Sequence, residues 1–176
     1  MTLSEITLTG YNMEWNGFRV VAGNIEDDTK ATKSLVDQLN SLLADVSLFY
    51  HTAHEFHWNV RGTDFYEYHK FYDEIVEDVY NSIDPIAENI RKLNGNPKYN
   101  LHEILSNSTL TPANNESFDT KSLTKELARL NSGLITILNQ TFSVADRENQ
   151  QGVANFIAER IDMHQKWQWF LTSSGE

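Results

Sequence analysis

The sequence predicts an all-α protein, a bundle of four long helices with one long crossover, and three observations carry that reading. Apolar residues recur at helical spacing in four separate windows of the 176-residue chain. Two short breaks and one long polar connection separate those windows. No repeat or low-complexity tract interrupts them. The length suits one domain with a substantial core.

The first helix is expected from about Asp28, taken as its N-cap, through the stretch ending HEFHWN. Leu35, Leu39, Leu42, Leu43, Val46 and Phe49 form its apolar stripe. Gly62 stops it, and Thr63 or Asp64 can cap the next helix, which runs from about Phe65 to Leu93 before Asn-Gly-Asn-Pro. Pro85 lies inside that pattern and predicts a kink, because it removes a backbone hydrogen bond and biases Asp84 away from the α region. Residues 94–118 form the long connection, with LHEILSN as a short amphipathic helix in its middle. The third long helix follows Asp119, with Leu123, Leu127, Leu130, Leu134, Leu138 and Phe142 as its stripe. The fourth follows DRENQQG and carries Val153, Ile157, Ile161, His164, Trp167 and Leu171. Two short loops flanking one long connection match the ferritin-like arrangement of a four-helix bundle; another bundle with the same helix count satisfies the same pattern.

The bundle is assigned to residues 28–176, and residues 1–27 read as a separate N-terminal extension. In YNMEWNGFRVV an Asn-Gly between apolar residues signals a small hairpin, with an extended arm as the alternative. Tyr11, Trp15, Phe18 and Val20 in that segment favour burial.

There are 25 Asp and Glu residues against 14 Lys and Arg, a net charge of −11. Such a surface attracts cations and repels phosphate backbones. The absence of cysteine removes disulfides, iron–sulfur ligation and thiolate zinc sites together. The opening MTLSEITLTG lacks the basic and apolar segments of a secretory signal, and no stretch reaches the length of a membrane span. A cytoplasmic protein without a membrane partner is the expectation.

Chemistry concentrates in two places. FYHTAHEFHWNV, residues 49–60, spaces His51, His54 and His57 three apart. On the second helix, at 100° per residue from His69, Asp73 falls at ~40°, Glu77 at ~80°, Tyr80 at ~20°, Asp84 at ~60° and Glu88 at ~100°. One face thus carries a histidine, four carboxylates and a tyrosine. A solvated acidic face is the plain reading of such a stripe. Histidine with carboxylates also suits iron, zinc or manganese, and the excess of oxygen donors favours iron.

His57 and His69 flank one turn and can be neighbours. Asp84 lies ~22 Å beyond His69 along a helix, too far for one ion to join them. Either the two ends are separate features, or a second copy related by a two-fold axis brings its own Asp84 and Glu88 to His57 and His69. No histidine has Glu three residues before it, so the Glu-x-x-His pairs of an intrachain di-iron bundle are missing.

HWNVRGTDFYEYH at 57–69, followed by IDPIAENIRKLNG at 83–95, resembles the signature of the Dps family. These are the DNA-binding proteins from starved cells, or mini-ferritins, and the resemblance covers about residues 30–172. It implies a hollow dodecamer whose iron-oxidation sites straddle two-fold interfaces. It assigns His57 to one chain of the site and Asp84 with Glu88 to the partner. His69 and Asp73 complete the second, weaker position of a two-iron site. Trp58 resembles the family's electron-donating tryptophan; core packing is its plain reading, and both can hold. The implied reaction is oxidation of Fe(II) by hydrogen peroxide, or by O2, with ferric iron stored inside. A zinc- or manganese-occupied variant and a structural or DNA-associated homologue are the alternatives.

Three features depart from the family pattern. Residues 1–30 hold only Arg19 and Lys30 as cations against Glu5, Glu14, Glu26, Asp27 and Asp28, so no DNA binding is expected at physiological salt. Asn155 stands where an acid lining an iron pore is common, with Asp146 and Glu148 nearby. His51 and His54 exceed the signature; they read as ordinary helix histidines, with His54 and Glu77 as accessory metal positions the alternative. His102 and His164 also read as structural.

Overall fold

The computed structural model describes residues 14–15, 18–19, 34–114 and 117–174. The chain divides into two units, Met1–Thr32 and Lys33–Glu176. In the first, β1 (Glu14–Trp15) and β2 (Phe18–Arg19) pair antiparallel, with Glu14 opposite Arg19 and Trp15 opposite Phe18. They lie on either side of the Asn-Gly dipeptide that signalled a turn. The expected packing of Tyr11 and Val20 falls outside the described residues, as does Asp28.

The second unit is α-helical: α1 (Leu35–Asn59), α2 (Phe65–Lys92), the short α3 (Leu101–Asn107), α4 (Thr120–Arg147) and α5 (Gln151–Ser174). Ser34 caps α1. Its hydroxyl oxygen accepts the Asp37 amide at 3.2 Å and donates to the Asp37 carboxylate at 2.7 Å, closing the first turn from both sides. Asp119 caps α4 as expected, accepting the Ser122 amide at 2.9 Å. Hydrogen bonds from Ser117 and Ser122 hold the Asp119 carboxyl down at about 2. At their other ends α2 and α4 share one solution. Asn94 (φ 61°) and Asn149 (φ 55°) turn left-handed. The next amides, Gly95 and Gln150, then reach back to Ile90 and Ala145 carbonyls at 2.9 Å.

Helix α2 runs through Pro85 without interruption, and Asp84 stays helical, so the expected departure from the α region does not occur. Packing explains it. Ile83, Ile86 and Ile90 are buried on both sides of the proline, each contributing roughly 2 kcal/mol of apolar burial, enough to hold the helix against one missing hydrogen bond.

The predicted stripes face one another. Leu39, Leu42 and Phe49 of α1 meet Ile75, Val79 and Ile86 of α2, Leu123, Leu127 and Leu134 of α4 and Ile157 and Leu171 of α5 in one buried core. The long connection is fastened to α1 by two polar residues. Asp45, fully buried, accepts the Ser108 hydroxyl at 2.7 Å, the Thr109 amide at 2.6 Å and hydroxyl at 2.8 Å, and the Leu110 amide at 3.1 Å. Asn40 accepts the Lys98 amide at 2.8 Å. The α1–α2 turn is tied to the start of α4 by the Arg61 amide on the Phe118 carbonyl at 2.9 Å. Gly62 in that turn has φ 136°, a conformation open to glycine and costly for other residues. Among the described residues, no helix is long and apolar enough to cross a membrane.

Candidate metal centre

The C-terminal end of α1 and the N-terminal end of α2 bring His57 and His69 face to face. Their rings stack with centroids 3.9 Å apart and planes 21° from parallel. Each Nδ1 lies 2.8 Å from the main-chain carbonyl of the other residue. A carbonyl only accepts, so both Nδ1 atoms carry the hydrogen, and each Nε2 is left with a free lone pair, the state a metal requires. His57 Nε2 stands 3.8 Å from Asp73 Oδ1. That is too long for a hydrogen bond and close to the span of two metal–ligand bonds of about 2 Å each. The Asp73 side chain is 66 % exposed, so its oxygens are open to a cation.

Trp58 does not pack into the core, as the sequence reading had it; it is 67 % exposed. The buried face of this part of α1 is formed by Thr52, Ala53 and Phe56, which turns position 58 outward. Trp58 instead packs against His54, with centroids 4.2 Å apart and planes tilted by 37°. Burial pushes the His54 pKa down, with His57 and His51 acting the same way and Asp73 opposing them. Exposed His51 sits edge-on to Tyr50 at 5.2 Å. Glu77 is exposed and lines a shallow hollow with Tyr50, Asp73 and Tyr80.

Asp84 and Glu88 are exposed much further along α2. Asp84 lines a surface cavity of about 590 Å³ with Tyr80, Pro85 and Tyr99. Because α2 is continuous, His69 and Asp84 are separated by about 22 Å of helix. One chain therefore brings together His57, His69 and Asp73 but not Asp84 and Glu88. His57 is the common neighbour, with His69 stacked on it and Asp73 at 3.8 Å, but among the described residues no three histidine or acidic side chains converge on one ion within the chain.

The ferritin-like domain family matches residues 36–174, nearly the whole helical unit. The chain belongs to the ferritin-like family. Its resemblance to the Dps proteins also holds. A DNA protection during starvation protein from Helicobacter pylori is 29 % identical over 133 residues, covering 76 % of this chain and 92 % of that protein. The crystal structure of a Dps protein from Vibrio cholerae O1, described as a member of a broad superfamily of ferritin-like diiron-carboxylate proteins, superposes with a TM-score of 0.75 at 27 % identity, covering 79 % of this chain and 87 % of that one. Dps from Thermosynechococcus elongatus gives a TM-score of 0.76 at 25 % identity, covering 79 % and 88 %.

Inside this ferritin-like bundle lies a second polar cluster that sequence reasoning missed. Arg160 on α5 grips Asp78 on α2 with both terminal nitrogens, at 2.9 and 2.7 Å, and Trp167 Nε1 donates to the same carboxylate at 2.9 Å. Burial raises the Asp78 pKa, but the Arg160 and Trp167 hydrogen bonds outweigh it and the net shift is downward. His164 is buried, and its Nδ1 gives its hydrogen to Asn131 Oδ1 at 2.7 Å. Desolvation first, then the Arg160 charge, push His164 down to about 3, so it is neutral. The sequence signal was the spacing of Arg160, His164 and Trp167 at i, i+4 and i+7 along an otherwise apolar stripe.

Proposed function

We propose that the chain is a Dps-type mini-ferritin that oxidises Fe(II) with hydrogen peroxide at sites shared between two subunits, and stores the ferric product within a hollow dodecamer. The observation that carries this reading is the reciprocal His57–His69 pair, with both Nε2 lone pairs unengaged and Asp73 beside them. His57 binds one iron together with Asp84 and Glu88 of a second copy, and His69 with Asp73 binds the other. Asp84 and Glu88, one helical turn apart, point the same way and chelate or bridge. The acidic surface, at −11 per chain, concentrates Fe(II) and disfavours a DNA duplex.

Each Fe(II) gives one electron to peroxide, the O–O bond breaks, and two protons complete two waters, so no hydroxyl radical leaves. Exposed Trp58, beside the histidine pair, supplies an electron when only one iron is present.

The test loads the protein anaerobically with Fe(II), adds peroxide and follows ferric absorbance. Two irons are consumed per peroxide, and Asp84→Ala with Glu88→Ala loses the fast phase. That variant, mixed with His57→Ala, His69→Ala chains, regains part of the rate in mixed assemblies. Mixed assemblies without recovery would rule out the shared site.

A further inference from the structure

A side-chain cation, Arg160, lies part-buried between α5 and α2, 13 % exposed against Asp78 at 19 %. All four long helices contribute to its surroundings: Asp78 from α2, Asn131 from α4, Arg160, His164 and Trp167 from α5, and Phe49 from α1, whose ring meets His164 edge-on at 5.9 Å. Bundles of this kind build metal sites from side chains on facing helices. A carboxylate and an imidazole lone pair are the donors that first-row divalent ions take.

Both donors are present, and both point at Arg160. Its terminal nitrogens bond the two Asp78 oxygens at 2.9 and 2.7 Å. One of them also lies 3.4 Å from His164 Nε2. Asn131 donates its amide hydrogens to the His164 carbonyl at 2.8 Å and Gln168 Oε1 at 2.9 Å, so its own oxygen accepts from His164 Nδ1. The neutral ring must then present its Nε2 lone pair toward the guanidinium. The guanidinium therefore stands where the two donors converge. Its fit is incomplete, since Arg160 Nε is buried without a hydrogen-bond partner. That unmatched donor is a cost carried by the arginine in this position.

We propose that Arg160 is the resident cation of the bundle core, closing to divalent metal a position that Asp78 and His164 would otherwise hold, and so confining Fe(II) to the α1–α2 face. The confinement rests on the proposed function; the closure of the core does not.

The test is made with full-length chains carrying His57→Ala and His69→Ala, which removes the outer histidine pair. Anaerobic Co(II) is titrated and its visible absorption recorded, with and without Arg160→Ala. Adding Arg160→Ala creates about one extra Co(II) site per chain with nitrogen and oxygen ligation, and adding His164→Ala abolishes it. A folded Arg160→Ala chain that takes no extra Co(II), or takes it equally after His164→Ala, overturns the proposal. Should Arg160→Ala lose helicity in metal-free buffer, Co(II) must restore it at the same stoichiometry; no recovery overturns the proposal equally. Iron oxidation is not the readout, so failure of the proposed activity leaves this result decidable.

Discussion

The Asp78–Arg160–His164 cluster and the His57–His69–Asp73 cluster draw on similar side chains, but they differ in how far one chain completes their bonding. Inside the bundle, the carboxylate has three donors at 2.7–2.9 Å and the imidazole engages both of its nitrogens. On the α1–α2 face only the Nδ1 nitrogens are hydrogen-bonded; His57 Nε2 stands 3.8 Å from Asp73, whose side chain is 66 % exposed. Water satisfies exposed groups at little cost, whereas a buried charge without its partner is strongly destabilising. Removing a partner from the interior cluster therefore costs more than the same change on the outer one.

The largest expected effect separates the two directly. Asp78→Ala strands the Arg160 guanidinium and the Trp167 Nε1 hydrogen, and should lower unfolding free energy by about 3–5 kcal/mol in urea melts. Asp73→Ala, the same change on the open face, should move it by less than about 1 kcal/mol. Equal losses would break the distinction.

A pH series sharpens it further. His164 is held down to about 3 from 6.5, so between those values the unfolded chain binds the proton that the folded chain refuses. Its contribution is fully present above pH 6.5 and declines as pH falls, by up to about 1.4 kcal/mol per unit. Asp78 is held below its ordinary 3.8, so its contribution is lost only at still lower pH. Urea melts at pH 7, 6 and 5 should show the slope, and His164→Gln should flatten it.

The smallest effect calibrates the others, because it touches neither cluster. Asn149→Gly relieves a left-handed residue at the end of α4 and should raise stability by roughly 0.5 kcal/mol in thermal melts.

Much of the fold was legible because each long helix repeats its apolar residues every three or four positions, and Asp119 and LHEILSN carry clear local signals. The start of α1 was not, since Asp28 and Ser34 are both good caps and only the reach of the core chooses between them. The conformation of Asp84 before Pro85 was misread for a related reason: the buried isoleucines around it override the local preference. At the site, the pairing of His57 with His69 followed from the short turn between them. Their crossed hydrogen bonds did not, because carbonyl directions appear only in three dimensions. Asp78 was one acid among many until a partner 82 residues away identified it.

The crossed bonds between His57 and His69 have a mechanical consequence. Each ring is anchored to the opposite helix, so the spacing of the outward nitrogens and the splay of the α1–α2 hairpin form a single degree of freedom. On the proposed reading, an arriving ion would meet donors already aimed, with little side-chain ordering left to perform. Loosening the turn at Gly62 would therefore detune the ligands without altering any of them.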